Sequence, residues 1–195
     1  MIKIQYNKTY LIQINKDLAI RNNALPVLKS KEAALRAETK RIRSQIQQLD
    51  KKIEDMLASI EPQMRLWSEF PKLISLKKIE FKMQKIASIS VQVIDKLVFK
   101  TESFCLFAYP AWFLQGVEII KQVIQLEAER MNTEHILESI EYARRKTTQK
   151  VNLYEKVQIP FFEEAMRKIK RFLEDEENLS KSSQKVVKKR MELVA

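Results

Sequence analysis

Counting alternately three and four residues from Leu11 passes through Ile14, Leu18, Arg21, Leu25, Leu28, Glu32, Leu35, Thr39, Ile42, Ile46, Leu49, Ile53, Met56 and Ile60. Only Arg21, Glu32 and Thr39 interrupt an apolar stripe whose repeat averages about 3.5 residues, sustained for about seven heptads. The positions between are rich in Lys, Arg, Glu, Gln and Asn. A helix of roughly 60 residues at a rise of 1.5 Å runs about 90 Å, which cannot be the core of a ball. Alone it exposes its whole stripe. Burying a Leu or Ile contributes about 1.5–3 kcal/mol, against about 1–2 kcal/mol to order each residue, so a second helix must cover it.

Glycine narrows the choice further. The chain holds one glycine in 195 residues, where an ordinary protein carries about 7%. Phosphate loops and dinucleotide fingerprints each need several glycines, so both are excluded. Gly116 is expected at a helix start or turn. The single cysteine, Cys105, lies in an apolar run and is expected as a buried structural thiol; the single histidine, His135, lies among Glu134, Glu138 and Glu141 on a solvated helix face. One Cys forms no internal disulfide and no cysteine metal cluster. One His, with carboxylates paired only as helix-face runs, assembles no convergent catalytic site, so no catalytic residue, metal or cofactor is expected.

The middle of the chain changes period. Ile79-Glu80-Phe81-Lys82-Met83-Gln84 and Ile89-Ser90-Val91-Gln92-Val93 alternate apolar with polar, and Leu97-Val98-Phe99 extends the second run. Period two with β-branched residues predicts a hairpin over 79–99, turning near Ala87-Ser88. Residues 103–113 follow, with Phe104, Phe107, Tyr109, Trp112 and Phe113 clustered. They are either a hydrophobic plug between hairpin and coil or a docking surface. Pro110 suits the approach to a helix start.

From about Leu114 the helical spacing returns through Leu137, Ile140, Val151, Tyr154, Phe161 and Phe172, with Arg130, Thr133, Arg144, Thr147, Gln158 and Lys168 falling into the stripe. Pro160 implies a local kink, and so does Pro26 in the first helix, where the heptad phase continues on both sides. A true break at Pro26 is the alternative. The expected fold is therefore mainly α: a long antiparallel two-helix coiled coil with a small β-hairpin and an irregular cap in mid-chain. Its parts are an N-terminal helix over 1–68, a connector over 69–113 and a C-terminal helix with a basic tail over 114–195. Parallel dimerisation through the first helix competes with this intramolecular pairing.

Net charge is +11, which favours anionic partners. The last 18 residues hold five basic side chains, Lys181, Lys185, Lys188, Lys189 and Arg190, against Glu192 alone. The basic residues do not form one dense stripe with interleaved aromatics, so nucleic acid is not an expected partner. No run of 18 apolar residues occurs, so direct membrane insertion is not expected. Met1–Gln5 lacks the apolar stretch of a signal peptide, and a cytoplasmic protein is expected.

Three segments resemble the D-subunit family of V-type (A/V-type) ATPases and ATP synthases. Leu25-Pro26-Val27-Leu28-Lys29-Ser30-Lys31 is similar to its Leu-Leu-Lys-x-Lys segment, and Ser103, Leu106, Ala108, Pro110 and Trp112 match its Tyr-Ser-Leu-Leu-Ala-x-Pro-x-Trp stretch. The most specific is Arg144-Arg145-Lys146-Thr147-Thr148-Gln149-Lys150-Val151-Asn152-Leu153 with Ile159-Pro160, which resembles the family's Arg-Arg-Thr-x-Arg-Arg-Val-Asn-Ala-Leu-Glu…Ile-Pro run. Gln149-Lys150, Asn22-Asn23 and Pro26 depart from the pattern. The resemblance implies the central rotor shaft of a rotary ATPase, peripheral to the membrane and itself non-catalytic. It couples ATP hydrolysis or synthesis to proton or sodium translocation. Its implied partners are the catalytic and non-catalytic ring subunits around both termini, the companion central-stalk F subunit, and a membrane-side socket subunit facing the connector. Phe104, Phe107, Trp112, Arg144, Arg145, Lys185, Lys188, Lys189 and Arg190 are the candidate contact residues. A stand-alone coiled-coil adaptor or secretion chaperone and a basic nucleic-acid-binding coiled coil are the competing classes.

Overall fold

In the computed structural model, which describes residues 4–61, 67, 69–102, 110 and 112–194, the heptad stripe lies on one continuous helix. This helix, α1, spans Lys8–Ile60 and runs through Pro26 without a break. Asn7 caps it, its Oδ1 accepting the Tyr10 amide at 2.6 Å, which satisfies one of the first-turn donors that have no partner within a helix. Strands β1 (Ile74–Ile86) and β2 (Ile89–Thr101) follow. Helix α2 covers Trp112–Leu153, a π-helical turn covers Tyr154–Gln158, and α3 covers Ile159–Val194. The mainly helical class and the mid-chain hairpin are as expected. Phe104, Phe107, Cys105 and Tyr109 lie outside the described residues. By its contacts the chain divides into two units, Met1–Lys31 with Lys146–Ala195, and Glu32–Arg145.

Within the second unit, the helical segments of α1 and α2 pair antiparallel. Arg43 bridges to Glu141, while Asp50, further along α1, receives Arg130 from earlier in α2. Leu35, Ile42, Ile136 and Ile140 are buried between them together with Val91 of β2, and Ile46, Ile86, Ala87, Ile89, Val93 and Leu137 pack around that cluster. The tip of the hairpin therefore closes over the helix pair. The strands are longer than the alternating runs suggest, because register shifts at Leu76/Lys78 and Glu80/Phe81 reset the alternation. A bulge adds a residue on one strand and flips which side chains face out. The turn falls at Ala87-Ser88, with φ of 47° and 71°. Two successive left-handed residues are what a tight two-residue hairpin turn demands, even without Asn-Gly.

Gly116 serves neither as a turn nor with a positive φ. It sits buried in the opening turns of α2, where a Cβ would stand 2.7 Å from Cε2 of Phe70. The Phe70 ring is hemmed in by Trp67, Trp112 and Phe113 at centroid distances of 5.5, 5.7 and 5.1 Å. Glycine is present because an aromatic ring lies against the helix backbone.

Within the first unit, α1 pairs antiparallel with the chain around the π turn and α3. Tyr6 stacks on Phe172 at 5.0 Å, and Arg21 meets Gln158 at 2.7 Å. Ile14, Leu18, Phe162, Ala165 and Ile169 form the buried cluster, with Leu11, Ile159, Phe161, Met166 and Leu173 packed against it. Continuing the three-and-four count from Val151 through Tyr154 gives Gln158, Phe161, Ala165, Lys168 and Phe172. The structure sets the stripe one residue later at Ile159, Phe162, Ile169 and Leu173, while Ala165 stays buried in the expected place with half-buried Met166 beside it. Phe172 is correspondingly 46% exposed, and Phe161 is half-buried. The cause is the π turn: the Ile159 amide donates to the Tyr154 carbonyl five residues back, which stores one residue beyond the α-helical count. The slip turns Lys168 outward, where it pairs with Glu164 at 2.7 Å, and brings Ile169 to full burial.

Candidate partner-binding surfaces

Each polar break in the α1 stripe has local compensation. Arg21 donates from Nε to Gln158 and from a terminal nitrogen to the Asp17 carbonyl, and its guanidinium lies 4.6 Å from the Phe162 ring centroid. Glu32 accepts Arg36 at 2.9 Å. Thr39 is buried, and its hydroxyl donates to the Leu35 carbonyl at 2.8 Å. The apolar members Leu11, Ile14, Leu18, Leu25, Leu28, Leu35, Ile42, Ile46, Leu49, Ile53, Met56 and Ile60 are all buried or half-buried, as are Leu137, Ile140, Val151 and Tyr154. The stripe is thus occupied by the chain itself, and interaction surfaces must be sought elsewhere.

The first surface is the end of α3. Every residue from 174 to 192 is exposed. Lys181, Lys185, Lys188, Lys189 and Arg190 share this stretch with Leu179, Val186, Val187 and Met191, whose exposures run from 52% to 70%. Helix of this length without a packed face is marginal in water, and apolar side chains flanked by cations suit a partner that is itself apolar and acidic. Glu164 and Glu177 show what such cations do to carboxylates. Hydrogen bonds from Lys168 and Lys181, respectively, hold them below the ordinary glutamate range.

The second surface is the outer face of the hairpin, where Phe81 and Met83 are 53% and 61% exposed. Lys77, Lys78, Lys82 and Lys85 stand on the same strand, and sequence patterning does not single out either apolar residue as a contact. Both belong to the apolar alternation Ile79-Phe81-Met83, none of whose members is buried. The third surface surrounds the aromatic cluster. Trp112 and Phe113 stack edge to face at 4.6 Å; Phe113 is buried with Leu73 and Val117, and Trp112 is half-buried against them. The Trp67 indole nitrogen is buried there with no hydrogen-bond partner among the described residues.

Arg144 is half-buried and Arg145 exposed; Arg145 reaches Glu141 at 3.7 Å, the carboxylate that also holds Arg43. The remaining candidates, Lys185, Lys188, Lys189 and Arg190, fall together on the exposed end of α3. His135 is exposed beside Glu138 at 3.7 Å. Among the described residues no group of three or more His, Cys, Asp or Glu could hold a metal, and no helix is long and apolar enough to cross a membrane.

Comparison with known proteins points one way. The family model described as the ATP synthase D subunit matches residues 10–189. Similar proteins include the V-type ATP synthase D subunit of Borreliella burgdorferi, 27% identical over 96% of this chain and 95% of that protein. That of Chlamydia pneumoniae is 24% identical over 98% of this chain and 95% of its own length.

Proposed function

Since the chain belongs to the ATP synthase D-subunit family, we propose that it is the central rotor shaft of a V-type rotary ATPase. It couples ATP hydrolysis or synthesis in a ring of catalytic and non-catalytic subunits to proton or sodium movement through a membrane ring. It catalyses no reaction itself. It works on the cytoplasmic side, peripheral to the membrane, with the companion stalk F subunit and a membrane-side socket as its other partners.

The observation that carries this reading is the end of α3, exposed throughout residues 178–192, where five lysine and arginine side chains stand against Glu192 alone and beside four large apolar ones. Such a helix reaches full stability only inside a partner. The paired segments that precede it hide their stripe within the chain, so they can carry load without needing another copy. Cations on the surface suit turning contacts as well, because exposed ion pairs are worth about 0–1 kcal/mol each and exchange readily.

Copurification tests the assignment. The tagged chain, expressed with its host's candidate ring subunits, is expected to bring down both the catalytic and the non-catalytic subunit. Recovery of neither would leave a stand-alone coiled-coil protein and end the shaft reading.

A further inference from the structure

Three irregularities of the first unit meet at one level of its helix pair. Pro26 interrupts the hydrogen bonding of α1, since it has no amide to offer the Asn22 carbonyl. Across from it lies the π turn Tyr154–Gln158, and Pro160 just beyond denies the Lys156 carbonyl its helical donor. The turn contributes no buried side chain. Two polar clasps, one on each side of Pro26, stand beside apolar side chains that are only half-buried, Leu25, Leu28 and Tyr154: Arg21 Nε donates to Gln158 at 2.7 Å, and Lys29 Nζ to Glu155 at 2.6 Å. Toward the chain ends the pair is apolar again at Ile14, Leu18, Phe162 and Ile169, and on the other side Thr147 and Val151 are buried.

We propose that this level is a joint built into the helix pair, with the extra residue of the π turn as its slack. A packed apolar seam resists twist because every displacement opens van der Waals contacts. An exposed ion pair such as Lys29–Glu155 re-forms after small displacements at little cost, while Arg21 is held more firmly through Gln158 and the Phe162 ring. Both backbones are weakened at the same height by a proline. A π turn is one residue from α-helical geometry, so a local exchange of hydrogen bonds absorbs rotation without unfolding the helix. The doublets Phe161-Phe162 and Phe172-Leu173 keep an apolar side chain near the seam as the arm turns, while Lys168 and Gln158 make the π setting the resting one. The proposal concerns the chain by itself and does not depend on which complex it serves.

Backbone amide hydrogen exchange on the full chain tests it. Amides of residues 22–30 and 155–161 are expected to exchange faster, by about tenfold or more, than those of 10–18 and 163–171, although the latter lie nearer the chain ends. Protection that is level across these segments, or that falls steadily toward the termini, overturns the joint. A variant lacking Val157, an exposed residue of the π turn, removes the slack while leaving Phe162, Met166, Ile169 and Leu173 in heptad phase with Val151. Its expected pattern is raised protection over 150–160 with 163–171 still protected. A minimum that persists in this variant, or a loss of protection over 163–171, contradicts the role given to the extra residue.

Discussion

Ala87 and Ser88 hold the hairpin turn in left-handed backbone conformations, which cost a side-chain-bearing residue about 1–2 kcal/mol each. Ala87 recovers part of this by packing against the cluster around Leu35 and Ile140, but Ser88 is exposed and gains nothing comparable. Ser88→Gly is therefore expected to raise stability by about 1 kcal/mol in denaturant unfolding, with Ala87→Gly nearer neutral; a destabilising Ser88→Gly would show that the hydroxyl supports the turn. Gly116 behaves in the opposite sense. Alanine is the better helix former by about 1 kcal/mol, yet its Cβ would meet a Phe70 ring that three aromatic neighbours confine. Overpacking of this kind costs about 1–3 kcal/mol, so Gly116→Ala is expected to lower the unfolding midpoint. A raised midpoint would mean that Phe70 moves aside freely.

At the scale of elements, stability follows burial rather than apolar character. Ile140 is fully buried and Phe172 is 46% exposed, so Ile140→Ala is expected to cost about 2–5 kcal/mol. Phe172→Ala loses little beyond its ring contact with Tyr6, about 1 kcal/mol. Equal losses would return Phe172 to the seam. How far the elements can be read from the sequence turns on the same physics. The stripe of α1 is legible because local period and partner face agree over its whole length, and Pro26 does not alter that phase. The hairpin is legible from its alternation, but its ends are not, since two bulges break the period of two where the strands begin to twist away. The seam of the last helix is read one residue out of place, because a π turn leaves no residue type as its mark. A trace of it exists nonetheless: the stripe through Ile159, Phe162, Met166, Ile169 and Leu173 is apolar throughout, whereas the unshifted one meets Gln158 and Lys168. Gly116 falls near a helix start as expected, but the reason for glycine there is not legible, because it depends on Phe70, some 46 residues earlier in the chain, and no local pattern reports that.

For the molecule as a whole, the proposed function rests on what the described part of the chain leaves uncovered. Reversing the charge of Lys185, Lys188, Lys189 and Arg190 is expected to weaken assembly with the ring subunits while leaving the unfolding free energy within about 0.5 kcal/mol of the parent, as for other surface changes. Raised salt should weaken the parent complex in the same sense, because screening acts on exposed charges; assembly indifferent both to the variant and to salt would remove the electrostatic basis for the tail. On the proposed function, this chain rotates within its host. The decisive experiment holds the host ATPase by its catalytic ring and follows a bead fixed to the hairpin through an introduced cysteine at the exposed Lys82 position. Sustained one-way rotation that starts with ATP and stops without it is the predicted result; a bead that stays still while the ring hydrolyses ATP at its full rate would contradict it.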